Sequence, residues 1–356
     1  MSTGKILFIS NGIGEDTIAA GIIEHLKQKM NVEDILAFPL VGEGDPYLKT
    51  EVQIVAPVKT LPSGGLIPSG YVSNVMKDIF AGLLSLSASQ IFRLSSLKKH
   101  ISLVVAVGDT VPVILGGMFV KKPVIFIGTA KSNYFVPYSG FERSFFKKYC
   151  DIIFPRDEPT AENLRSHGLN ARWVGNAMMD CLTYTNERFS IPEGRTIITL
   201  LFGSRDVAYK DIPIMLEAAR LITQMSSNSV TFISPIANTI QRSFFENSVV
   251  TMGYKFDWNQ RPEGVAGKIS KSFLEVILLK NRFGTALNLA KVVIGQAGTG
   301  NEQAAGLGKP VIAFDSGRRN KLGWYRARQK GLLGNALAVV PAYPCLLYTS
   351  PSPRDS

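Results

Sequence analysis

Two short stretches carry residues suited to binding and proton transfer. In "VVIGQAGTGNEQAAGLGKPVIAF" an apolar run passes through Gly298, Thr299, Gly300, Asn301 and Glu302 into a helical pattern, and in "LVVAVGDTVPVILGG" Asp109 stands between a buried-type strand and Pro112. Glycines let a ligand approach the backbone, and the first turn of a helix offers N–H groups that no helical carbonyl takes. Gly298 and Gly300 would thus bring amides against a diphosphate, with Thr299 and Asn301 adding polar contacts. Glu302, one turn into the helix, could accept both hydroxyls of a ribose. The plainer role for Glu302 is a charge that favours the helix N-terminus. No G-x-x-x-x-G-K-[ST] occurs, which excludes a P-loop.

Two further strand ends have similar chemistry. "FISNGIGEDTIAAGIIEHL" runs from a strand through Asn11, Gly12 and Gly14 to Glu15 and Asp16. These two carboxylates either line a site or complement the helix dipole. "TLLFGSRDVAY" ends a strand on Gly203, Ser204 and Arg205, where glycine permits close approach, serine donates and the guanidinium can take two phosphate oxygens together. Asp109 follows Gly108, so its alternatives are a ligand-facing carboxylate and the N-cap of the next helix.

The elements that must position these residues form a regular series. Short apolar runs alternate with longer helical patterns, as expected for parallel sheets covered on both faces by helices. "KILFIS", "DILAF", "QIVAPV", "LVVAVG", "PVIFIG", "DIIFP" and "ARWVG" are the expected strands of a first half. "TIITLLFG", "VTFISP", "LEVILL", "VVIGQ" and "PVIAF" are those of a second. The expected fold class is α/β, with two Rossmann-like doubly wound parallel-sheet domains. Their expected spans are 1–182 and 195–344, joined by a polar linker containing Pro192 and Gly194. "LPSGGLIPSG" reads as a loop before a helix from about Tyr71 to Lys99, and the aperiodic "CLLYTSPSPRDS" at 345–356 reads as a foreign or disordered tail after a truncated second domain.

Composition narrows the function classes. The chain has 356 residues, 46% hydrophobic and 19% charged, which suits folded domains rather than disorder. A formal charge of +11 favours an anionic partner: nucleic acid, anionic lipid or a phosphorylated substrate. No RRM, KH or helix-turn-helix signature accompanies that charge, so nucleic acid is not the expected partner. Cys150, Cys181 and Cys345 form no CxxC, and His25, His100 and His167 form no HxxxH or HExxH pair, so no metal or disulfide framework is expected. The cysteine pattern makes a reducing cytosol the expected location, the N-terminus lacks the pattern of a signal peptide, and "IFAGLLSLSASQIF" is too short to span a bilayer. "RSFFKKY" (143–149) and "LKKH" (97–100) mix cations with apolar residues, as a peripheral contact with an anionic membrane would. "GRRNKLGWYRARQK" (317–330) reads as a solvated basic face.

The segments "SNGIGED", "VGDTVPV", "FIGTAKSNYF", "FPRDEPTAENLRSHGLNARWVGNAMMD", "FGSR" and "GQAGTGNEQAAGLGKPVIAF" together resemble a GT-B glycosyltransferase. The resemblance is to the lipid-A-disaccharide synthase-related proteins of cyanobacterial and plastid type, and it extends to about Val340. It implies two Rossmann-like domains facing a cleft, a nucleotide-sugar held by the C-terminal domain, and a lipid or other hydroxyl acceptor on the N-terminal one. By position, Gly203, Ser204 and Arg205 match the phosphate-side motif, and Gly298, Thr299, Asn301 and Glu302 the nucleotide-sugar loop. Asp109 corresponds to the acceptor-side aspartate, the expected general base, with Glu15 or Asp16 in reserve. The chain departs from the family at Ala177, where proline is common. The implied reaction is direct, inverting transfer from a UDP-linked sugar without a metal cofactor. A sugar-nucleotide 2-epimerase shares the architecture, and a non-catalytic nucleotide- or nucleic-acid-binding protein is the other alternative.

Overall fold

The computed structural model describes residues 4–57, 83–203, 208–226, 229–237, 240–259, 263–315 and 322–341. The expectations for the 61–70 loop, residues 71–82 and the 345–356 tail fall outside these residues, as do Ser204 and Arg205. The chain divides into two compact units, Met1–Cys181 and Leu182–Ser356.

In the first unit the strands are β1 (Lys5–Ser10), β2 (Ile35–Pro39), β3 (Gln53–Ile54), β4 (Ile101–Gly108), β5 (Val124–Gly128) and β6 (Cys150–Pro155). They pair in the order β3-β2-β1-β4-β5-β6, parallel throughout. Helices α1 (Ile13–Leu26), α2 (Asp45–Leu48), α3 (Leu83–Leu97), α4 (Thr110–Leu115), α5 (Gly140–Tyr149), α6 (Glu158–Ser166) and α7 (Ala177–Asp180) accompany them. Because side chains alternate faces along a strand, Leu7, Ile9, Val104 and Phe126 pack against Leu94, Val113 and Phe146 on one side. Phe8, Val105 and Val107 pack against Ile18, Ala19, Ile23 and Tyr47 on the other. Burial on both faces is why these strands read as continuous apolar runs.

The second unit centres on β7 (Thr196–Leu201) in an eight-stranded sheet ordered β14-β13-β12-β7-β8-β11-β10-β9. The other strands are β8 (Val230–Pro235), β9 (Lys255–Trp258), β10 (Gly264–Lys271), β11 (Leu274–Lys280), β12 (Val292–Gly295), β13 (Val311–Asp315) and β14 (Leu337–Pro341). The helices are α8 (Ala208–Met225), α9 (Arg242–Val250), α10 (Phe283–Leu289), α11 (Thr299–Gly306) and α12 (Leu322–Leu333). Ile212, Met215 and Leu216 of α8 seal one sheet face over Leu200, Phe232, Val276 and Leu278.

Three strand expectations need correction. "ARWVG" is no strand: Ala171 makes a single bridge to Ile153, after which Trp173 and Val174 are exposed and Gly175 turns the chain at φ 108°. "QIVAPV" contributes only Gln53 and Ile54, paired to β2 at the sheet edge. The second sheet is not wholly parallel, since β9, β10 and β11 pair antiparallel at its edge. β10 has the sequence "GVAGKISK", whose small and polar residues lack the apolar density expected of a strand buried on both faces. Among the described residues no helix is long and apolar enough to cross a membrane.

Candidate functional site

In open α/β sheets ligands sit beyond the carboxyl ends of the strands, where the strand order reverses. In the first unit that point lies between β1 and β4, because β1 leads outward to β2 while β4 leads the other way to β5. The residues following these two strands are Asn11–Gly12 and Asp109, and they meet: Asn11 Nδ2 donates to Asp109 Oδ2 at 2.8 Å. Asp109 Oδ1 accepts from the Val111 amide at 2.8 Å, so the carboxylate caps α4 with one oxygen and faces the β1 loop with the other. The N-cap role foreseen for this residue is the one its bond to Val111 displays, and its second oxygen is held by Asn11.

Glu15 lies beside them. Gly108 has φ 121°, and a Cβ there would lie 2.8 Å from Glu15 Cγ, so only glycine lets the Glu15 side chain pass over the end of β4. Burial raises the Glu15 carboxyl above its ordinary range, a backbone hydrogen bond opposes this, and the negative Asp109 adds to the rise. Burial likewise raises Asp109, against the bonds from Val111 and Asn11, and the charge of Glu142 adds to it. A carboxylate made more basic in this way is suited to accepting a proton.

Asp16 occupies a different environment. It is 0% exposed on the inward face of α1, where Ser10 Oγ donates to its Oδ1 at 2.6 Å and Tyr47 Oη lies 2.5 Å from the same hydroxyl. Burial pushes its pKa up to about 7. Its place in the core leaves Asp109 and Glu15 as the carboxylates at the strand ends. Gly12 precedes α1 with φ 123°, and Gly14 lies exposed in the first turn.

Sequence reasoning missed a charged group beside Asp109. Glu142 accepts from Lys131 Nζ at 2.6 Å, from Thr110 Oγ1 at 2.9 Å and from the Ser139 amide at 2.9 Å. Burial alone would raise Glu142, but Lys131, Ser139 and Thr110 outweigh it and hold the carboxyl below its usual range. Lys131 also favours the charged form of Asp109. The capping-box spacing of Ser139 and Glu142 was a legible signal for the start of α5. Nothing in that spacing indicated that Glu142 also receives Lys131.

The second unit has its reversal between β7 and β12. The structure brings Gly203 and the 296–302 turn to that point: Gly295 pairs with Leu201, and the Gln296 amide donates to Leu201 O at 3.0 Å. Gly298 stands at the N-cap of α11, followed by exposed Thr299, buried Gly300 and Asn301, and half-buried Glu302. Asn301 Nδ2 donates to Gly295 O at 2.9 Å, and a Cβ on Gly295 would collide with this amide. Asn301 therefore pins the turn to the strand, a structural task beside the polar contact expected of it. Beneath the turn, Gln329 Nε2 donates to Ala297 O at 3.1 Å and to Gly298 O at 3.2 Å.

The sequence matches no protein-family model. It is similar to the lipid-A-disaccharide synthase of Syntrophus aciditrophicus, 28% identical over 170 residues, which covers 46% of this chain and 38% of that protein. Lipid-A-disaccharide synthase 1 of Legionella pneumophila is 26% identical over 167 residues, 45% of this chain and 37% of its own. The matches thus span less than two-fifths of the length of these curated relatives. Among solved structures, the glycosyltransferase SnogD from Streptomyces nogalater superposes with TM-score 0.54 at 12% identity, over 94% of both chains. UDP-GlcNAc 2-epimerase from Neisseria meningitidis, bound to UDP-GlcNAc, gives 0.52 at 16% identity over 91% of this chain and 85% of that one. With two α/β units, the first built on a parallel sheet and the second on a mostly parallel one, the chain has the GT-B glycosyltransferase fold, and over less than half of its length it is similar to lipid-A-disaccharide synthases.

Proposed function

We propose that this chain transfers a sugar from a UDP-linked donor to a hydroxyl of a lipid or other acceptor, with inversion and without a metal. The observation that carries the reading is the pair of strand-order reversals, one bearing carboxylates raised above their ordinary range and the other a glycine turn at a helix start. The acceptor oxygen forms a bond to the anomeric carbon as the bond from that carbon to the diphosphate oxygen breaks. Asp109 takes the acceptor proton, with Glu15 as its neighbour. The electron pair leaves on the diphosphate, whose charge is met by amides of Gly298 to Asn301 and by Gly203, Ser204 and Arg205, while Glu302 holds the ribose. A Neisseria neighbour carrying UDP-GlcNAc supports a nucleotide-sugar as donor.

The same neighbour favours a second reading, epimerisation of a UDP-sugar at C2. Incubation with UDP-GlcNAc separates the two. Transfer releases UDP only when an acceptor is added, resists EDTA, and falls at least about 100-fold in Asp109→Asn, the range of a lost general base. Epimerisation gives the C2 epimer with no acceptor and no UDP release, and that result would replace the transferase reading.

A cytoplasmic protein that visits an anionic membrane fits the surface of α5 and α3. Phe141 is 71% exposed and meets Phe145 edge-on at 4.9 Å, Phe145 stacks on Tyr149 at 6.3 Å, and Lys147 and Lys148 flank this aromatic row. Phe92 of α3 is 77% exposed. Such a row can enter the headgroup region while the lysines meet lipid phosphates. Flotation with anionic but not neutral liposomes, lost in Phe141→Ser, is the expected result.

A further inference from the structure

The glycine turn before α11 is held from beneath by a buried cation. Arg326 and Gln329 of α12 are 4% and 2% exposed. Arg326 Nη1 donates to Gln329 Oε1 at 2.5 Å, and its Nη2 donates to Gln296 Oε1. A guanidinium has donors and no acceptor, so it fixes which end of each amide faces it. Both glutamines present oxygen to Arg326, and their NH2 groups must point elsewhere. That of Gln296 reaches Phe314 O at 3.0 Å, and that of Gln329 reaches the carbonyls of Ala297 and Gly298.

In a trans peptide the N–H points opposite to the C=O. Two carbonyls held toward α12 therefore turn the amides of Gly298 and Thr299 away from it, outward at the start of α11. We infer that Arg326 and Gln329 are positioning residues, which set the direction of the amides that receive the donor's diphosphate. The inference rests on the proposed role of this turn and adds what orders it: a pre-aimed pair of N–H groups, selective for the phosphate part of the ligand over the nucleoside.

The test measures UDP and uridine affinity by calorimetry, together with backbone order parameters for Gly298 to Gly300 in the ligand-free protein. Gln329→Leu removes both donors. Gln329→Glu keeps the shape and pairs with Arg326, but sets carboxylate oxygen against the two carbonyls. The expected result is about tenfold or greater weakening of UDP in each folded variant, uridine affinity within about twofold of wild type, and order parameters that fall at these residues alone. A folded variant with unchanged UDP affinity and unchanged order would overturn the brace. Equal weakening of UDP and uridine would also overturn it, since a general loss of structure does not distinguish phosphate from nucleoside. If the wild-type chain binds no UDP, the donor reading fails separately, and the order parameters alone then decide for or against the brace.

Discussion

Replacing Asp16 by Asn should make the first unit more stable at neutral pH, with a gain that grows with pH in a defined window. The carboxyl is 0% exposed and its pKa is about 7, against an ordinary 3.8. Between those values the folded chain binds a proton that the unfolded chain has lost, so stability falls as pH rises through the window and levels off above pH 7. A gap of about three pH units at 1.36 kcal/mol each amounts to about 4 kcal/mol, an upper figure because it attributes the whole shift to the native state. Asn keeps an oxygen for the Ser10 hydroxyl and carries no charge to desolvate. The difference in unfolding free energy, Asp16→Asn minus wild type, should therefore climb by up to about 4 kcal/mol from pH 4 to pH 7 and stay flat beyond. Urea titrations at half-unit pH steps, following the transition of the first unit, measure it, and taking the difference cancels carboxyls common to both proteins. A difference that stays level across the window would mean that Asp16 ionises as it does in water, and the description of its surroundings would be wrong.

Gly108→Ala adds a methyl 2.8 Å from Glu15 Cγ at a residue with φ 121°, so a loss of about 2 kcal/mol or more is expected in thermal or urea unfolding of the first unit, with UDP affinity unchanged. Lys131→Met removes the cation that favours charged Asp109 while Glu142 continues to disfavour it, so the acidic limb of kcat/KM should move to higher pH; an unmoved limb would take Asp109 out of the role of base.

The parts of the site that depend on local chain order were legible in the sequence. A strand that ends in glycine and leads into a helix is a contiguous pattern, so the sequence places Gly12, Asp109, Gly203 and Gly298 each near a strand's carboxyl end. The order of strands in the sheet is a non-local property, and it is what joins Asn11 to Asp109 across 98 positions. Lys131 follows β5 and Glu142 stands in the first turn of α5, and their proximity to Asp109 comes from parallel neighbours β4 and β5. Arg326 and Gln329 fell within a basic stretch taken for a solvated face. Both are buried, and the signal that distinguishes them from their neighbours is their spacing of three on α12, which places them on one side of the helix. The antiparallel edge was missed because a half-covered strand such as β10 carries too little apolar density to announce itself.

The two strand-order reversals differ in the sign of what they present, and the difference follows from how each is built. At the first, Gly108 makes room for Glu15, and Asn11 and Val111 hold Asp109 in a partly desolvated position, so negative charge accumulates where water is scarce. Such a group gains by taking up a proton. At the second, Arg326 orients the amide of Gln329, which takes up the carbonyls of Ala297 and Gly298 and leaves N–H groups outward, so the same kind of turn presents positive dipole ends. A reaction that releases a proton from one partner and an anion from the other needs both kinds of surface, each arranged before the substrate arrives. The asymmetry between the reversals is what the proposed transfer draws on, and conversion of UDP-GlcNAc to its C2 epimer by the protein would overturn that proposal.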